Sequence, residues 1–344
     1  MKILLGGYSS LGLIHGGPAV QLMQTYLELK KLGVEAELLD PYKRYTASDF
    51  DLAHIFAANI GTYHLAKNLQ EYHLPFVVSS IFYTQHSTPY IKRLCSIAQM
   101  FQRLHKGIWM TYGITQEICS LARRVLPNTT DERNIIEHGL GIPSQKLSVV
   151  PNGVEPRFEY GDPTLFKKKY GIENFILNVG HIGPRRKNIL NLIRALKHIN
   201  HPAVIIGKIT HGAYAEQCLA EAKENKNLFL IHGLENNSEV LASAYAASNV
   251  FALPSLFETP GIAALEAGLA GAKIVITSFG GTKDYFENFA EYTDPHSVSA
   301  IQQGIEKALN KKKDFALKEH IKRNFLWNSV AKKTLEVYKN VTQQ

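Results

Sequence analysis

Residues 255–267 read Ser255-Leu256-Phe257-Glu258-Thr259-Pro260-Gly261-Ile262-Ala263-Ala264-Leu265-Glu266-Ala267. The stretch completes a mostly apolar run, Val250–Ser255, that has strand length and strand composition. Glu258 falls in the loop that follows. Pro260-Gly261-Ile262 then opens a helix built almost wholly of Ala, Leu, Ile and Gly, with Glu266 inside it. Strand, short loop and helix in that order make half of a βαβ unit, and the pattern repeats outward in both directions. Phe175–Gly180, Ala203–Gly207, Leu228–Gly233 and Lys273–Ser278 are further predicted strands, nearly all of them followed by helix-length sequence. Upstream, Lys2–Leu5, Val34–Leu39, Asp51–Phe56 and Pro75–Ile81 form an earlier series, with a helix predicted over Pro18–Leu32. Pro151-Asn152-Gly153, followed by Pro156 and Gly161-Asp162-Pro163, marks a seam between the two series. Two doubly wound α/β domains facing each other across a cleft are expected. The first spans 1–152 and the second 153–326, and an amphipathic segment, 327–344, packs back on the first.

The chain has 344 residues, about two domains' worth, and 45% of them are hydrophobic. That composition excludes disorder as the main state. No window is long and apolar enough for a transmembrane helix, and the opening Met1–Gly7 is too short for a signal-peptide core. Three scattered cysteines form neither a CxxC pair nor a disulfide framework, which suggests a reducing, cytoplasmic setting. The net charge is +8. It suits an anionic membrane or a nucleotide diphosphate, or simply a well-solvated surface; no nucleic-acid-binding signature accompanies it.

In open α/β sheets ligands bind beyond the carboxyl ends of the strands, so the loops after strands are the place for chemistry. Three of them are unusual. The loop from Gly6 to Gly17 carries five glycines and leads into the helix start at Pro18, a setting that suits a phosphate. Its spacing is not GxGxxG, which disfavours a dinucleotide fold of the dehydrogenase type. The loop His181-Ile182-Gly183-Pro184-Arg185-Arg186-Lys187 sets three consecutive cations after a strand, where they could neutralise a diphosphate. The third is the opening stretch. A carboxylate on a helix as apolar as that of Glu266 is expensive to bury unpartnered. A ribose diol would satisfy it; a salt bridge to a neighbouring Lys or Arg is the alternative.

These residues together resemble the retaining glycosyltransferases of the GT-B fold, in the large family four. The E-x7-E pattern is Glu258 and Glu266. Leu147–Val154 resembles the family's VIPNGVD crossing between domains, and Asn178–Gly180 with Arg186-Lys187-Asn188 resembles its VGR…RKN segment. Leu228–Asn249, Ser278–Phe286 and Trp327–Tyr338 also match. The resemblance implies transfer of a sugar from a UDP- or GDP-linked donor to a glycan or lipid-linked acceptor, as in bacterial surface polysaccharide or glycoconjugate synthesis, with no metal or other cofactor. It implies that Gly16 and Gly17 approach the sugar diphosphate and that Arg186 and Lys187 compensate its charge. Glu258 would contact the transferred sugar, Glu266 would hold the ribose hydroxyls, and backbone and side chains around Leu234–Glu239 would border the base. Arg185 and His181 would lie near the donor, with the amides around Pro260, Gly261 and Ile262.

Two departures stand out. His181 occupies the place of an arginine common in the family, which shifts charge compensation toward Arg185 or Arg186. The histidine expected after Pro75–Ser80 is replaced by Ile81-Phe82, leaving His86 as the candidate on the acceptor side. The DxD at Asp49-Phe50-Asp51 precedes a strand rather than following one, which argues against a metal there. Pro89–Met110 sets Ile91, Leu94, Ile97, Phe101, Leu104 and Ile108 on one stripe, with Lys92, Arg93, Arg103 and Lys106 nearby. Such a stripe fits either a buried helix face or peripheral contact with an anionic membrane. A non-catalytic nucleotide-sugar-binding protein of the same fold is the alternative function.

Overall fold

The structure is a computed structural model and describes residues 1–12, 16–104 and 110–343. Its chain separates into two compact units, Met1–Gly153 with Trp327–Gln344, and Val154–Leu326.

The first unit is a parallel sheet in the order β2-β1-β3-β4-β5. Its strands are β1 (Lys2–Gly7), β2 (Glu35–Leu38), β3 (Leu52–Phe56), β4 (Phe76–Ser79) and β5 (Arg124–Val125). Helices α1 (Gly17–Lys31), α2 (Ile60–Glu71), α3 (Thr88–Leu104), α4 (Thr111–Leu121) and α5 (Thr130–Asn134) connect and flank them. Successive residues of a strand point to opposite faces, and β1 shows it. Ile3 and Leu5 pack with Leu29 of α1 and with Trp327, Val330 and Tyr338 of the C-terminal helix, Trp327–Thr342. Leu4 joins Ile91, Cys95 and Ile118 on the other face. Both faces are covered, as a parallel sheet requires.

The second unit's sheet runs β11-β10-β9-β6-β7-β8. Its strands are β6 (Phe175–Val179), β7 (Ala203–Gly207), β8 (Leu228–His232), β9 (Ser248–Leu253), β10 (Lys273–Thr277) and β11 (Glu291–Thr293). Between and after them run α6 (Pro163–Tyr170), α7 (Ile189–Leu196), α8 (Ala213–Lys223), α9 (Glu239–Ala247), α10 (Ile262–Leu269), α11 (Lys283–Phe286), α12 (Val298–Asn310) and α13 (Ala316–Asn324). Leu177, Phe251 and Ile274 face one core and Ile176, Val250 and Val275 the other. The sheet order reverses between β9 and β6, the first strand of the unit, so the loops after those two strands flank the switch point.

Strand ends differ from the sequence reading for local reasons. The last strand before the 255–267 loop ends at Leu253 because Pro254 has no N–H to donate to a ladder. Pro75–Ile81 shortens to Phe76–Ser79 because Ile81 takes a left-handed φ of +46°. That is costly for a β-branched residue. Buried Glu132 pins both of its neighbours, accepting from Ser80 Oγ at 2.5 Å and Phe82 N at 2.7 Å. β5 and β11, of two and three residues, are too short for periodicity to reveal. The 89–110 stripe also needs correction. α3 buries Ile91, Cys95 and Ala98, while Leu94 and Ile97 are half-buried and Tyr90 and Met100 exposed. The side chains of Phe101 and Leu104, and Ile108 entirely, lie outside the described residues.

The C-terminal helix is tied to the first unit by polar as well as apolar contacts. Buried His54 accepts or donates at Tyr338 OH (2.6 Å) through Nδ1 and at Ser79 Oγ (2.9 Å) through Nε2. Burial pushes its imidazole down to about 3, so the ring is neutral. Gly153 lies against Trp327; a Cβ there would meet the indole at 2.6 Å. Tyr338→Phe keeps the ring and strands the His54 nitrogen. Urea unfolding of that variant is expected to show a loss of about 1–3 kcal/mol; an unchanged midpoint would mean the bond contributes nothing.

Candidate functional site

Glu258 sits in the loop between β9 and α10, 6% exposed. A carboxylate so placed must be paired or neutralised. Here Lys187 Nζ donates to its Oε1 at 2.7 Å, Ser255 Oγ donates at 2.8 Å, and Arg186 Nη1 lies 3.3 Å away. Burial opposes the charge, but Lys187 and Arg186 outweigh it and hold the carboxyl below its usual range. Sequence reasoning aimed these two cations at a diphosphate; in this structure both face Glu258.

The loop after β6 is held in place by Asn188, whose left-handed φ of +54° ends the basic turn. Its Nδ2 donates to Pro254 O at 2.9 Å and Pro295 O at 2.7 Å. Arg186 adds a bond to Phe257 O (3.1 Å) and lies over the Phe257 ring. The loop after β10 closes the other side: Glu258 N donates to Phe279 O, and Gly281 N to Glu258 O. Gly280 permits this approach. It has φ +91°, and a Cβ would stand 2.0 Å from Glu258 O. Three strand-end loops thus converge on one carboxylate.

Glu266, on α10, is equally buried but its partners are neutral. Tyr245 OH donates to Oε2 at 2.7 Å and Asn236 Nδ2 approaches Oε1 at 3.4 Å. The salt-bridge alternative does not hold: Arg157 bonds Asn236 and pairs with Glu155 instead. Burial pushes Glu266 up to about 7, against the pull of Tyr245, Asn236 and the more distant Arg157 charge.

The remaining predicted residues are scattered around this centre. Arg185 is exposed and stacks over Tyr214, and exposed His181 has its pKa lowered by partial desolvation of the ring and by Lys187 and Lys208. Pro260 and Gly261 are buried and Ile262 half-buried at the start of α10. Leu234 is half-buried in the loop before α9. Gly16, Gly17 and His86 belong to the first unit. Gly16 precedes α1 in extended conformation, Gly17 begins it, and His86 Nδ1 lies 2.6 Å from Tyr112 OH. Asp49 and Asp51 are engaged with backbone amides of Thr46 and Lys2. Among the described residues no group of three or more His, Cys, Asp or Glu could hold a metal.

Sequence reasoning gave no role to Ser255, Tyr245 or Arg157; it quoted Asn188 only as part of a motif, and placed Asn236 only within the Leu234–Glu239 segment expected to border the base. Only the Gly280-Gly281 pair carried a local signal, as a turn next to a predicted strand.

Residues 164–324 match the family described as Glycosyl transferases group 1. The chain is 30% identical over 220 residues to an uncharacterized glycosyltransferase of Methanocaldococcus jannaschii, covering 57% of this chain and 55% of that protein. It is 23% identical over 344 residues to the GPI3 subunit of phosphatidylinositol N-acetylglucosaminyltransferase of Saccharomyces cerevisiae, covering 85% and 75%. Anabaena HepE, solved in complex with UDP, has a TM-score of 0.70 at 15% identity over 99% of this chain and 100% of that one. The two Rossmann-like units therefore have the GT-B fold, and it is within the second unit that the match to the glycosyl transferases group 1 family lies.

Unfolding energies of Lys187→Met, Glu258→Gln and the double variant measure the central pair. Each single change is expected to cost roughly 2 kcal/mol and the double variant clearly less than their sum, a coupling of about 1–2 kcal/mol. Additive losses would mean that the pair is solvated and interchangeable.

Proposed function

We propose that the protein is a retaining glycosyltransferase that moves a sugar from a UDP- or GDP-linked donor to a hydroxyl of a glycan or lipid-linked acceptor. One observation carries the reading. Two buried carboxylates, eight residues apart, are treated in opposite ways: Glu258 is clamped by two cations, and Glu266, among the described residues, is left with neutral donors. A carboxylate whose partners are neutral hydrogen-bond donors is chemically matched to a ribose diol. One clamped between cations at strand ends is matched to the place where a sugar meets its diphosphate.

In the reaction the anomeric C–O bond to the diphosphate breaks and the electron pair leaves with the diphosphate. The acceptor oxygen forms the new bond, and its proton passes to the departing phosphate. Arg186 and Lys187 supply the positive charge that the leaving group needs, with Glu258 as their counter-charge before it develops. This charge compensation needs no metal. Gly16 and Gly17, at the start of α1, are proposed to offer backbone amides to a phosphate, and Leu234 to border the base.

A lipid-linked acceptor at an anionic membrane surface is supported by α3, where exposed Tyr90 and Met100 accompany exposed Lys92 and Arg93. The yeast relative's named acceptor, phosphatidylinositol, is of the same kind. Among the described residues no helix is long and apolar enough to cross a membrane. His86, bonded to Tyr112, is the proposed acceptor-side residue.

The test is thermal unfolding with UDP, GDP and ADP, with EDTA or Mn²⁺, on the native chain and Glu266→Ala. One nucleotide should raise the melting temperature, EDTA should not remove the shift, and Glu266→Ala should abolish it. Turnover of the matching nucleotide sugar should fall by about 100-fold or more in Glu258→Gln while nucleotide binding persists. Nucleotide binding without any sugar transfer would favour the non-catalytic binding protein; no shift with any nucleotide would overturn both.

A further inference from the structure

The Glu266 carboxylate is held asymmetrically. Tyr245, fully buried, donates to Oε2 at 2.7 Å. Its ring is wedged edge-on against Phe158, with centroids 5.4 Å apart, and tilted against Phe251 at 5.8 Å. α9, which carries it, is fastened to α6 by Ser243 Oγ, which accepts from Phe166 N at 2.8 Å and donates to Asp162 O. Tyr245 and Ser243 are both fully buried. Asn236 is the opposite case. It is exposed, it stands in the loop between β8 and α9, and its Nδ2 is 3.4 Å from Oε1, at the long limit of a hydrogen bond. The loop does not depend on that bond, because Arg157 holds Asn236 by its backbone carbonyl and by Oδ1, at 3.1 Å for the latter.

We infer that Tyr245 is a positioning residue that keeps Oε2 in every state, while Asn236 is a place-holder on Oε1 that a ribose hydroxyl of the donor nucleotide displaces. The inference rests on the reading of Glu266 as the ribose carboxylate and deepens it. One oxygen is committed to a buried phenol and its direction is fixed. The other, among the described residues, carries only the long bond from the exposed Asn236 amide. A diol oxygen brings a better-placed donor than Asn236 and needs no rearrangement of the carboxylate. The two neighbours of one group therefore act in opposite directions on nucleotide binding, which a purely structural role would not produce.

The groups facing Glu266 are Tyr245 from α9, Asn236 from the preceding loop, and Arg157 with Glu155 from the segment that begins the unit. Tyr245 and Asn236 both favour the ionised form, so loss of the phenol drives the carboxyl further up. Sugar hydroxyls donate to the ionised form. Nucleotide affinity should accordingly be full above the carboxyl's titration and decline as pH falls through it.

Calorimetric titration of the full chain with UDP, or with GDP if that is the nucleotide bound, from pH 5.5 to 8.5 separates the alternatives. At pH 8.5, Tyr245→Phe is expected to bind about 10-fold more weakly, whereas Asn236→Ala binds as tightly as the native chain or up to about 3-fold more tightly. The decline toward acid should begin at higher pH in Tyr245→Phe. Titration of the nucleotide's own phosphate is common to all three proteins and cancels in the comparison. Equal weakening by both substitutions, or a Tyr245→Phe profile that parallels the native one, overturns the division of roles while leaving the donor reading intact. A native chain that binds neither nucleotide overturns the donor reading and this inference with it. Asn236 is exposed, so the Asn236→Ala arm decides alone if Tyr245→Phe does not fold: weaker binding there overturns the place-holder.

Discussion

A negative charge buried at the end of a parallel sheet has to be answered from somewhere, and in this protein the answer organises the second unit. Glu258 cannot stay ionised without cations, and the nearest source is the turn that leaves β6. That turn must be brought within reach, so Asn188 adopts a left-handed conformation and bonds two proline carbonyls on separate loops. The loop after β10 must then pass against the backbone of Glu258, which only a residue without Cβ allows. Remove the charge and none of these arrangements has a cause. A structure could cover the same space more cheaply with apolar side chains, so the cost points to a use for the ion cluster.

The two carboxylates show how environment separates chemically identical groups. Both are 6% exposed. Glu258 lies between Lys187 and Arg186 and is held as the anion; Glu266 has a phenol and an amide, and its carboxyl sits near neutrality. Divergent environments for paired acids are a familiar sign of divided labour. The first works through charge that is already present, the second through hydrogen-bonding capacity that is only partly used.

Much of the architecture was legible in the residues because parallel strands buried on both faces must be apolar runs, and those runs are punctuated by Gly, Pro and Asn. The two acids were legible too, since a glutamate in an Ala-Leu-Gly helix is conspicuous. Their partners were not. Lys187 comes from 71 residues before Glu258, and Asn236 and Tyr245 from 30 and 21 residues before Glu266. A tyrosine in an apolar helix looks like core until the fold shows what its hydroxyl meets. The same holds for Ile81: nothing in Ser79-Ser80-Ile81-Phe82 announces a left-handed backbone, because its support, Glu132, arrives from 50 residues away. Short β5 and β11 escaped because two or three residues carry no period.

The return of the C-terminal helix to the first unit also sets a timetable for synthesis. The second unit is one uninterrupted stretch, Val154–Leu326, and can complete its sheet as soon as it leaves the ribosome. The first unit, although its sheet emerges earlier, still lacks Trp327, Val330 and Tyr338, and with them the cover over Ile3, Leu5 and His54. The half made first is therefore the half finished last. A nascent chain spends much of its translation with one face of its first sheet covered by α1 but not by Trp327–Thr342, a surface on which a chaperone has every reason to act until that helix arrives.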